Sequence, residues 1–148
     1  MTKKSSPRRE PSPQWQPIEK LPLIAYPIDG MLESAEEQYA NLQQAKPKPY
    51  VLDDYTVKRV IDVFTAQQNA LWLFDEQLRR WKAGKLTTAQ RSEVERLVGQ
   101  MTKLHQVITD ILKLANELKD GTIEKQLAKS DEQVGLEFLL GRPLKTNE

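Results

Sequence analysis

The chain has no cysteine and a single histidine, His105. Disulfides, thiolate nucleophiles, Cys-based zinc sites and Cys/His catalytic pairs are thereby excluded. No apolar run approaches the roughly 20 residues that span a bilayer, and no apolar stretch near the start reads as a signal peptide. An excess of one charge is also missing: 22 basic side chains stand against 21 acidic ones, a formal net charge of +1. Bulk charge therefore argues for neither a nucleic acid nor an acidic partner. Motifs of catalysis are scarce as well, with no Gly-rich phosphate loop, no GxSxG and no HExxH. The Glu33/Glu36 pair resembles half of a carboxylate metal site but finds no ExxH or partner carboxylates downstream. Asp53/Asp54 reads as a helix cap and Asp75/Glu76 as a solvated face. These absences predict a cytoplasmic protein that is not an enzyme, holds no cofactor or metal and does not enter a membrane.

What the sequence does contain is helix. Two heptad runs, at 55–82 and 88–119, are joined by a few residues around Gly84. Placing Val57 at position a puts Phe64, Leu71 and Leu78 there too, with Val60, Gln67, Phe74 and Trp81 at d. The second run places Val94, Met101, Ile108 and Ala115 at a, and Leu97, Leu104, Ile111 and Leu118 at d. Antiparallel helices pair a with d. From Val57 with Leu118 to Trp81 with Val94, the residue numbers of every pair add to the same total, which centres the connection beside residues 84–87. The predicted fold is all-α: a long antiparallel, coiled-coil-like hairpin with short flanking helices in a small bundle that dimerisation would complete.

The chain divides into a basic, proline-rich tail and extended strap (1–26), one helical domain (27–141) and a C-terminal tail (142–148). Residues 1–20 carry five basic and two acidic side chains among four prolines, a composition expected of a solvated tail. Trp15, Ile18, Leu21, Leu23, Ile24 and Tyr26 are too apolar for a free linker and too interrupted by proline for a helix, so they read as an extended strap. A first helix is expected at 29–44, with Asp29, Glu33, Glu36 and Glu37 favoured near its N-terminal dipole. The hairpin helices are expected at 54–83 and 88–120, the first capped by Asp53 or Asp54 and the second by a T-x-x-Q box at Thr87 and Gln90. Gly121 would close the second in the left-handed conformation. Two short helices, 123–129 and 131–140, follow, the latter behind an S-x-x-Q box at Ser130 and Gln133. It carries Val134, Leu136, Phe138, Leu139 and Leu140, expected to bury on the apolar open end of the hairpin or in a dimer.

Three groups of side chains stand out. Leu71 and Phe74 serve the seam, which leaves Trp72 and Leu73 on the outer face, to meet another part of the chain or a partner. With Leu136, Leu139 and Leu140 they form the candidate protein interface. Arg79, Arg80, Lys82, Lys85 and Arg91 surround the hairpin turn with no carboxylate from 79 to 91, a candidate contact for anions or nucleic acid. Gln67, Gln68 and His105 would form a polar layer that sets register. The residues point to a non-catalytic interaction or assembly protein, an adaptor or scaffold partnered by itself as a homodimer or by another protein. The alternative is a nucleic-acid-binding accessory protein using the basic tip and tail.

Overall fold

A computed structural model describes residues 12–140, and among these every regular element is helical. The expectations for the basic residues at 1–11 and for the tail at 142–148 lie outside the described residues. Four α-helices follow one another: α1 (Leu21–Ala45), α2 (Asp54–Lys82), α3 (Thr88–Leu118) and α4 (Ile123–Leu140). α1 and α2 both pack on α3. α2 and α3 form the antiparallel hairpin, and α1 lies parallel to α3, since Asp29 meets Arg96 near the tip while Tyr39 and Gln43 lie beside Asp110 and Glu117.

The hairpin seam is the core. Every a and d position of α3 is buried, as are Val57, Val60, Phe64, Leu71, Leu78 and Trp81 on α2. Burying such a side chain contributes about 1.5–3 kcal/mol before chain entropy is subtracted. Asp53 caps α2 by accepting from Thr56 N–H at 2.7 Å. Thr87 and Gln90 cap α3 reciprocally, at 3.1 and 3.0 Å.

α1 is eight residues longer at its start than the 29–44 reading, and the extended strap is correspondingly shorter. Pro22 falls in the first turn, where a missing N–H breaks no intrahelical bond. Pro27 costs one bond, to the carbonyl of the well-exposed Leu23. Against that loss, Leu21, Ala25, Ile28, Leu32, Ala35 and Leu42 form one buried stripe at helical spacing. The stripe runs through the prolines, and its burial outweighs the local signal to stop. Asp29 is consequently interior to α1, so its carboxylate serves a contact with α3 rather than the helix dipole.

The open end is tied by polar contacts. Leu52 C=O accepts from Ile123 N–H at 2.8 Å, Asp54 N–H donates to Glu124 at 2.8 Å, and the buried Thr122 hydroxyl donates to Asp54 at 2.6 Å. Gly121 does not adopt the left-handed conformation; a Cβ there would lie 2.7 Å from Pro49 Cγ. Its requirement is close approach between the α1–α2 and α3–α4 connections.

α4 is one helix, not the two expected at 123–129 and 131–140. No proline or glycine falls at the expected junction, 128–132, and the helix continues through it in spite of the capping preference of serine. Leu127, Leu136, Leu139 and Leu140 are exposed, Leu139 by 82%, so these leucines do not cover the open end as the sequence suggested. The side chains of Val134 and Phe138 lie outside the described residues.

The polar layer does not form. Gln68 is exposed, the Gln67 Oε1 is buried without a partner, and His105 Nε2 meets Asp75 Oδ2 at 2.7 Å. Gln68, Asp75 and His105 all occupy e positions, but side chains lean toward the N-terminus of their own helix. In an antiparallel pair that lean brings His105 to the e residue one heptad, about two turns, nearer the tip, Asp75, and away from Gln68. Gln67→Leu alone is therefore expected to raise stability by about 1 kcal/mol, by removing an unpaired buried carbonyl. Gln68→Leu should change it by less than about 0.5 kcal/mol. Urea unfolding of the two variants checks both values, and a loss of stability in Gln67→Leu would contradict the assignment.

Candidate functional site

The outer face of α2 holds Trp72 and Leu73, and it is not bare. Residues 12–17 run along it without helix or turn, Pro17 in extended dihedrals (φ −70°, ψ 160°), before a short 3-10 turn enters α1. Trp15 meets Trp72 edge to face, with ring centres 6.3 Å apart and planes at 70°. The Arg80 guanidinium carbon stands 4.5 Å from the Trp15 ring centre, a cation–π contact. The anchor is Gln16, whose N–H donates to Gln77 Oε1 at 2.7 Å and whose C=O accepts from Trp81 Nε1 at 2.8 Å and from Gln77 Nε2 at 3.3 Å. Gln77, a polar residue at this depth, is only 4% exposed. Trp72 remains 53% exposed even with the strap in place. Leu73 is half-buried and lines a cleft of about 320 Å³ with Ile24, Phe74 and Trp15.

The second apolar surface is α4. Its first turn is held by Asp54, which accepts from Lys125 at 3.0 Å, and beyond that turn Leu127, Leu136, Leu139 and Leu140 face solvent. The two halves of the candidate interface are thus separate places: Trp72 and Leu73 on the shaft of the hairpin, and the leucines on a helix anchored at its base.

The basic tip is less cationic than the run 79–91 implies. Glu76, one turn earlier, pairs with Arg79 (2.8 Å to Nε) and Arg80 (3.0 Å to Nε). The Arg79 guanidinium, then burial working against it and Arg80 with it, leaves the Glu76 carboxyl down from the ordinary 4.5 at about 2. Lys82, Lys85 and Arg91 have no ion pair among the described residues. Reading only the residues from 79 onward concealed the carboxylate at i−3 and i−4.

Sequence reasoning also missed Arg96. It grips Asp29 of α1 through two bonds, 3.1 and 2.8 Å, and Glu93 through two of 2.9 Å, while Gln100 donates to Asp29 at 3.0 Å. This clamp fixes the height of α1 against α3. Arg96 lowers the pKa of both Asp29 and Glu93, and Thr122 with Lys125 lowers that of Asp54. Among the described residues, no group of three or more His, Asp or Glu could hold a metal ion, and no helix is long and apolar enough to cross a membrane.

These carboxylates set an acid limit on stability. A folded-state pKa below the unfolded value contributes stability that is complete above the unfolded pKa and lost as pH falls. The thermal midpoint should hold steady from pH 7 to about 5, then decline continuously towards pH 2 as Asp29, Asp54, Glu93 and finally Glu76 take up protons. Arg96→Met should flatten the upper part of that decline. A midpoint unchanged between pH 5 and pH 3 would contradict the assignment.

Comparison with known protein families, with characterised proteins and with solved structures finds no match to this chain.

Proposed function

We propose that this chain is a non-catalytic, cytoplasmic assembly protein that works by helix-mediated protein–protein contact, and that its first partner is a second copy of itself. The observation that carries the reading is α4: an 18-residue helix held at its first turn, with Leu127, Leu136, Leu139 and Leu140 exposed to water. Leucines in such number on one short helix lose several kcal/mol of burial unless another surface covers them, and helices of this kind dock into grooves of partner proteins. Every copy carries α4, so a two-fold pair can set the exposed leucines of one copy against those of the other, each an apolar counterpart. The alternative, nucleic-acid binding at the basic tip, has less behind it because Arg79 and Arg80 share Glu76.

Light scattering across a concentration series tests the proposal. The wild type should reach about twice the chain mass of 17.1 kDa, and Leu136→Ser/Leu139→Ser/Leu140→Ser should return it to one chain with the helical circular dichroism signal retained. A wild type that stays monomeric at every concentration would overturn self-assembly.

A further inference from the structure

Gln77 uses both ends of its side-chain amide on the main chain of a single residue, Gln16, and Trp81 adds a third bond to the same peptide carbonyl. Recognition of this kind reads extended backbone, whatever the side chain attached. Specificity comes from the neighbour: Trp15, flanked by Pro13 and Pro17, lies against Trp72 and Arg80. The prolines hold the segment extended in advance, which lowers the entropy lost on docking.

Two features mark this as a receptor and its occupant rather than ordinary core. The strap leaves its bed incompletely filled, with the 320 Å³ cleft on one side and a further opening of about 600 Å³, bounded by Ser12, Ala66, Asn69 and Trp72, on the other. Only Pro17 and the turn Ile18–Lys20 join the strap to α1. An identical segment from a second copy would regain the same contacts, which is why exchange of such elements is a low-cost route to dimers.

We propose that the α2 face formed by Trp72, Gln77, Arg80 and Trp81 is a receptor for an extended tryptophan-bearing segment, filled in cis by residues 12–17 and, in the assembled protein, by residues 12–17 of a second copy. This rests on the assembly reading above and names the contact made at the Trp72 face.

The probe is a fluorescently labelled peptide, Ser-Pro-Gln-Trp-Gln-Pro, followed by anisotropy. It should bind the full chain carrying Trp15→Ser, whose own strap keeps the Gln16 main-chain bonds but loses the ring contacts to Trp72 and Arg80 and so competes less well. It should bind at least about tenfold more weakly to the wild type, because a short tether gives the cis strap an effective concentration of about millimolar. It should bind as weakly to Trp15→Ser/Gln77→Leu. Unlabelled Gln77→Leu chain, which keeps the strap but weakens its own receptor, should displace the label from Trp15→Ser chain, whereas Trp15→Ser/Gln77→Leu chain should not. Equal binding to the Trp15→Ser chains with and without Gln77 would overturn the receptor, as would no binding to a folded Trp15→Ser chain. Failure of Gln77→Leu chain to compete would overturn exchange between copies. If Gln77→Leu unfolds the chain by circular dichroism, Arg80→Ala replaces it with the same expectations. All chains retain the α4 leucines, so peptide binding without a mass change in light scattering would leave the receptor standing and contradict both the α4 reading and exchange between copies, whereas a mass change without peptide binding would contradict the receptor alone.

Discussion

Leu104→Ala is expected to lower stability by about 3–4 kcal/mol, a large part of the roughly 5–15 kcal/mol that holds a domain folded. Leu104 is fully buried on α3, the helix on which both α1 and α2 pack, and Leu71, its partner in the heptad register of the seam, is fully buried too. Truncation there removes the transfer energy of three carbons and leaves a cavity that two neighbouring helices must share. The comparison is Leu139→Ala on α4, which is 82% exposed and should cost less than about 0.5 kcal/mol in the monomer. Urea unfolding followed at 222 nm measures both. A cost below 1 kcal/mol for Leu104→Ala would remove α3 from the centre of the bundle.

Gly121→Ala is expected to cost about 1–3 kcal/mol, the range for forcing a methyl group into filled space. The new Cβ would stand 2.7 and 2.9 Å from Pro49 Cγ and Cβ, and a pyrrolidine ring cannot turn aside as a flexible side chain would. The strain falls where the α1–α2 connection crosses the start of α4, so the bond from Ile123 N–H to Leu52 C=O should loosen with it. Pro49→Ala in the same chain removes the nearer contact and should restore part of the loss. An alanine at 121 that leaves the urea midpoint unchanged would show that the two connections do not touch.

The hairpin was legible because its evidence is redundant. Each of sixteen seam positions votes on period and register at once, so one dissenter such as Gln67 changes nothing. The same logic failed for α1, where Pro22 and Pro27 spoke locally for a break while the stripe from Leu21 to Leu42 spoke for a helix. Only the packing of that stripe on α3 decides between them. Trp72 and Leu73 were identifiable as outward-facing, but the strap's grip on them depends on main-chain atoms of Gln16, which no side-chain pattern reports. Arg96 with Asp29 and Thr122 with Asp54 join residues about 67 positions apart across helices whose relative height the sequence does not encode. The His105 partner could have been read, since the N-terminal lean of side chains on both helices moves an e-position contact toward the next e position, one heptad along, in an antiparallel pair.

The most direct test of the central claim, that α4 offers its leucines to another chain and not to its own bundle, is amide hydrogen exchange along α4 at several protein concentrations. Amides near Leu136, Leu139 and Leu140 are expected to exchange rapidly in dilute protein and to gain protection as concentration rises, while those around Leu104 stay protected throughout. Strong protection of the α4 amides in dilute monomer, independent of concentration, would place α4 on its own bundle and contradict the account.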